Sequence, residues 1–228
     1  IEAGFDVDFQ EIMIPEYWTR RGGFSLLNGH INLKMLVPHE PNVFVFSTRS
    51  YQVDFDPQSS RRGLPKKVVS KDTIVAMFYN NKGADAVLRK DYVTAYAYFR
   101  SALLLQPNFH SAWINLGILY RLNQYFPQAE SAYHHALALN SDSLTAAENL
   151  AYLYMFTGRN EEAAEILAKV EEQRNSNPFY HVNLGEQEME QKHWDQALAH
   201  FRRALSLDRS THEVYFGLAR VYFEIGEL

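Results

Sequence analysis

A mainly α fold follows from this sequence: a solenoid of four full helical repeats plus one further helix, preceded by a small antiparallel β segment. A fixed period is the first reason. Stepping 34 residues from Leu116-Gly117 lands on Lys82-Gly83 in one direction and on Leu150-Ala151, Leu184-Gly185 and Leu218-Ala219 in the other, with no insertion. A column of small residues is the second, since Ala95, Ala129, Ala163 and Ala197 recur at that same spacing. The third is a change of texture before residue 58, where short alternating runs and turn residues replace the helical pattern.

Composition narrows the function classes. At 46% hydrophobic and 14% aromatic the 228 residues are too apolar for disorder, and no apolar run reaches the ~20 residues of a membrane span. The net charge is −5, and neither part of the chain has the basic excess that nucleic-acid binding requires. With no cysteine there is no disulfide, no thiolate metal site and no cysteine nucleophile within these residues. That leaves the compartment open between cytoplasm and a bacterial envelope. A start at Ile1 and an end partway through a repeat read as a piece of a longer protein.

Residues 1–57 form the β-rich segment. Val7–Ile14, His30–Val37, Val43–Ser47 and Tyr51–Phe55 have strand patterning, and Arg21-Gly22-Gly23, Asn28-Gly29 and Asp56-Pro57 supply turns. Residues 58–75 read as a polar linker broken by Gly63 and Pro65. Arg61, Arg62, Lys66 and Lys67 there are either an anion-binding patch or solvated linker residues. His30 begins one expected strand and Asp54 closes a later one. That arrangement resembles the second half of transglutaminase-like, papain-related domains. The resemblance implies a base (His30) oriented by a carboxylate (Asp54), acting on a cysteine that either lies upstream of Ile1 or has been lost with the activity.

The array occupies 76–228, as 76–109, 110–143, 144–177, 178–211 and the partial unit 212–228. In the first helix of each repeat, helix A, residues such as Trp113, Leu116, Gly117 and Tyr120 share one face by their i, i+3, i+4, i+7 spacing. A small residue recurs at the Gly117 position because the second helix, helix B, crosses close there. Pro107 stops one helix B, and Gly158 suits a left-handed turn. Trp113-x2-Leu116-Gly117-x2-Tyr120 followed by Ala129-x3-Tyr133 resembles the signature of the tetratricopeptide repeat. The resemblance implies a right-handed solenoid with a concave inner face lined by helix A, and a protein or extended peptide as partner.

At 100° per residue, Asn115 lies about 200° from Trp113, away from the face taken as core. Asn81, Asn149 and Asn183 are its equivalents. An amide offers both donors and an acceptor, so four in register make either a ladder for a peptide backbone or a copied structural feature. Around it the groove would be lined by Ile114, Ile118, Arg121, Tyr152, Met155 and Phe156. The nine histidines show no metal-ligand spacing and no phosphate loop appears, so neither metal nor cofactor is expected. The last helix, 212–228, is apolar nearly all round. With no helix B of its own it should leave Leu218 and Tyr222 uncovered, which points to self-association through this segment.

Overall fold

The computed structural model describes residues 6–12, 30–36, 50–54 and 66–226. Contacts divide the chain into two compact units, residues 1–153 and 154–228, with the boundary inside a helix. The expected strand at Val43–Ser47 and the turn motifs lie outside the described residues.

The first unit opens with a four-stranded antiparallel sheet in the order β3-β2-β1-β4. Its strands are β1 (Asp6–Ile12), β2 (His30–Leu36), β3 (Ser50–Asp54) and β4 (Lys66–Val69). β4 corrects the linker reading of 58–75. Val68-Val69 is a β-branched pair, and it finds the free edge of β1, with Val69 opposite Phe9 and Lys66 opposite Ile12. Ser70 then ends the strand and caps a helix in one step: its Oγ accepts from the Thr73 amide at 3.1 Å. That helix, α1 (Lys71–Leu88), therefore starts ahead of residue 76.

Among the described residues the helices continue as α2 (Tyr92–Leu105), α3 (His110–Leu122), α4 (Phe126–Leu139) and α5 (Leu144–Phe156). The second unit holds α6 (Asn160–Asn175), α7 (Pro178–Glu190), α8 (Trp194–Leu207) and α9 (His212–Ile225). The repeat is written into the backbone at each A-to-B turn. Lys90, Gln124, Gly158 and Lys192, spaced by 34, all have positive φ, between 61° and 82°. Gly158 adopts this without a side-chain penalty; the other three do so as L residues. The next residue closes the same bond in every case: the amides of Asp91, Tyr125, Arg159 and His193 donate to carbonyls five residues back, at 2.8–2.9 Å.

Within the first unit α1 packs along α2 and α3 along α4, while α2 also meets α3. Within the second, α7 packs along α8 and α8 meets α9. The close crossing expected at the Gly117 position is present, and a ring fills it. A Cβ on Gly117 would lie 2.5 Å from the Tyr133 ring, and one on Gly185 would lie 2.8 Å from the Phe201 ring. Gly83 meets Phe99 in the same way. Helix A gives up a side chain so that an aromatic of helix B can seat against its backbone.

Candidate functional site

The inner-face expectation has to be rebuilt from these packings. Helix A is covered on two sides, by its own helix B and by the preceding repeat. In the last repeat the Asn115 position is held by Gly217, and a Cβ there would run into the ring of Phe201 on the preceding repeat's helix B. The same ring presses on Gly185 of its own repeat. So at Gly217 this position faces backwards into the neighbouring repeat, and the angle measured on one isolated helix misses this.

The asparagines behave accordingly. Asn115 is fully buried, and its Nδ2 donates to Oδ1 of the equally buried Asn80 at 2.8 Å, tying α3 to α1. Asn149 is buried too, with its Nδ2 donating to the Thr145 carbonyl at 2.9 Å. Ile114 and Ile118 are core residues with no exposed surface. These four are corrected from peptide contacts to structural residues. Asn81 and Asn183 are half-buried. Arg121, also half-buried, lies beside the Tyr133 phenol, which burial pushes up to about 12 against the pull of the guanidinium. Neither Arg121 Nε nor Tyr133 Oη has a hydrogen-bond partner.

A second column was not anticipated. Trp113, His181 and Tyr215 occupy the same repeat position, and each sends a ring donor to the backbone oxygen six residues earlier. Trp113 Nε1 donates to Pro107 at 2.8 Å and Tyr215 Oη to Arg209 at 2.9 Å. His181 Nε2 lies 3.1 Å from the Asn175 carbonyl, and its counterparts indicate that it carries the proton. This leaves Nδ1 buried and unpartnered. Burial holds His181 below the usual imidazole range, with the nearby His200 and Arg203 acting the same way; the Asn175 carbonyl and Glu171 oppose them. The signal in the sequence was a donor-bearing ring, with three different residue types sharing one function.

Apolar side chains left open lie elsewhere, on α1 and α2 (Phe78, Leu88, Val93, Leu104) as well as on α5 and α9. On α5, Tyr152 is partly exposed with its hydroxyl donating to Glu148 at 3.2 Å, while Met155 is 50% and Phe156 69% exposed. Their i, i+3, i+4 spacing puts them on one stripe of that helix. On α9 the expectation for Leu218 and Tyr222 is corrected. Both pack partly into the core around Phe201, and Arg202 donates to the Tyr222 hydroxyl at 3.0 Å. The residues left open there are Tyr215, Phe216 and Phe223.

For the His30 and Asp54 reading, the backbone gives positions alone. His30 opens β2 and Asp54 closes β3, with Asp54 opposite Asn32, two residues from His30.

Sequence comparison bears on the helical part. Residues 123–182 and 178–210 each match a sequence model of the tetratricopeptide repeat. Residues 123–210 are tetratricopeptide repeats. Curated relatives include Superkiller protein 3 of Schizosaccharomyces pombe, 27% identical over 141 residues, and Tetratricopeptide repeat-containing protein trd-1 of Caenorhabditis elegans, 23% identical over 144 residues. Those alignments cover 58% and 63% of this chain but 10% and 19% of the relatives, so the chain spans a small part of each. Among solved structures, PilF of Pseudomonas aeruginosa is 22% identical with a TM-score of 0.44, over 69% of this chain and 72% of that one.

The tetratricopeptide repeats form a scaffold for protein interaction. No helix among the described residues is long and apolar enough to cross a membrane. What remains for a protein partner is the set of side chains that neighbouring helices leave uncovered, and on α5 these are aromatic and thioether groups.

Proposed function

We propose that the repeats bind an extended stretch of a partner polypeptide at the C-terminal turn of α5. Met155 and Phe156 provide the apolar contact. The observation that carries this reading is that Met155 and Phe156 stand exposed side by side on the last turn of α5, at 50% and 69%, where Val87 and Met189 at the Met155 position of other repeats are buried. Exposed aromatic and methionine side chains with few charges around them are typical anchors of protein contacts. An Asn ladder plays no part, because Asn115 and Asn149 serve the packing of the repeats. The test is selection from a displayed peptide library, followed by binding of the winners to Phe156→Glu and Met155→Glu. Binding should fall at least tenfold with helical content unchanged. Winners that bind both variants as well as the parent protein would reject the α5 site.

A further inference from the structure

Within the first unit, the sheet and the start of the array enclose a cleft that the packing of the repeats does not use. Its volume is about 380 Å³, within the range of small-molecule sites. Strands β1 and β4 supply Glu11, Lys67 and Val69 to its wall, α1 supplies Ser70, and the start of α3 supplies Phe109 and His110. Ser70 is occupied in capping α1, through the amide and the hydroxyl of Thr73.

Strand register decides how the charged groups stand. Glu11 lies opposite Lys67, and Phe9 opposite Val69. Opposed residues of an antiparallel pair share one face of the sheet, with Cβ atoms about 5 Å apart. Lys66, the other lysine of this basic run, alternates to the opposite face. Glu11 is half-buried and Lys67 exposed. Among the described residues these two make no hydrogen bond or ion pair, either with each other or with a neighbour. Burial pushes the Glu11 carboxyl up, while Lys67 and His110 pull it down. An acid and a base thus stand side by side, both unengaged, above the apolar surface of Val69 and Phe109.

We propose that this cleft binds a free α-amino acid with an aliphatic side chain, its ammonium donating to Glu11, its carboxylate accepting from Lys67 and its side chain lying against Val69 and Phe109. The pairing of charges selects the ligand. A plain anion drawn to Lys67 would meet the Glu11 carboxylate, and a plain cation drawn to Glu11 would meet the Lys67 ammonium. A molecule that carries both charges on one carbon satisfies the two residues at their cross-strand spacing. Helices α1 and α3 both begin on the wall, so their positive ends add to the hold on the ligand carboxylate.

The test is calorimetric titration of the 228-residue chain with L-leucine, N-acetyl-L-leucine and L-leucinamide, the last two each lacking one of the charges. L-leucine should bind saturably, and the other two about tenfold more weakly or worse. Glu11→Gln should weaken L-leucine by a similar factor without weakening N-acetyl-L-leucine, which has no ammonium to lose. Lys67→Gln should weaken L-leucine and spare L-leucinamide. Lys67 is exposed, so its variant reads the site even if Glu11→Gln disturbs the sheet. Lys66→Gln, on the other face, should bind L-leucine as the parent protein does. No saturable binding at millimolar L-leucine would overturn the proposal. So would L-leucine binding that Glu11→Gln and Lys67→Gln both leave at the parent level.

Discussion

Helices α7 and α9 occupy equivalent places in successive repeats, yet one is closed and the other open. His181 and Tyr215 make the same bond to the backbone six residues earlier. Val182 and Met189 are buried beside α8, while Phe216 and Phe223, at the same positions, are exposed. Residue type does not explain the difference, since the larger and more apolar side chains are the open ones. Burial along helix A is set by which helices lie against it. Propensity and amphipathic pattern cannot supply this information, because it belongs to the stack of repeats.

Several substitutions would break or sharpen that comparison. The largest effect belongs to Phe201, fully buried and seated on both Gly185 and Gly217. Phe201→Ala should cost about 3–5 kcal/mol of stability by denaturant unfolding, because one ring supports α7 and α9 together. A loss near 1 kcal/mol would mean the two contacts are not shared.

Asn115 comes next. Asn115→Ala removes the donor that Asn80 Oδ1 accepts from in a buried setting, and the expected cost is about 1–3 kcal/mol in thermal or denaturant unfolding. An asparagine serving only a guest peptide would leave stability unchanged.

His181 gives a smaller, pH-dependent effect in the second unit. Its folded pKa is lowered, so the fold favours the neutral ring and the unfolded chain takes up the proton first. The stability it contributes is present above about pH 6.5 and is lost as pH falls from there through the folded value. Unfolding midpoints at mildly acidic and neutral pH should differ less in His181→Gln than in the parent protein. Replacing Tyr215, in the same column, by Phe should leave the acid dependence alone.

Tyr133→Phe should have the smallest effect. The hydroxyl is buried without a hydrogen-bond partner, and Phe99 and Phe201 fill the same position in other repeats. The expected change is a gain of up to about 1 kcal/mol in chemical denaturation.

The helical part of the fold was legible because its period is carried by residues with no alternative use. A glycine under a ring and an alanine at a crossing both recur for steric reasons visible in one repeat. Asn115 was misread because a helical wheel knows one helix, and the Asn80 partner sits on another, 35 residues away. The column of Trp113, His181 and Tyr215 escaped notice because its members share a ring donor and no residue identity. β4 was hidden in the basic run around Lys66 and Lys67, where the charges drew attention from Val68-Val69. The candidate site moved for the same reason as the asparagines. Phe156 was expected in the groove together with Ile114 and Ile118, and only the burial of those two separates them from it.

The central claim is that cover from the adjoining helix decides burial at equivalent positions. Its most direct measurement is amide hydrogen exchange of α7 and α8 in Val182→Glu and in Phe216→Glu. The first places a carboxylate in the buried interface and should collapse protection across both helices. The second places the same group on the open face and should leave their protection at the parent level. Equal losses in the two variants, or protection retained in Val182→Glu, would contradict the account.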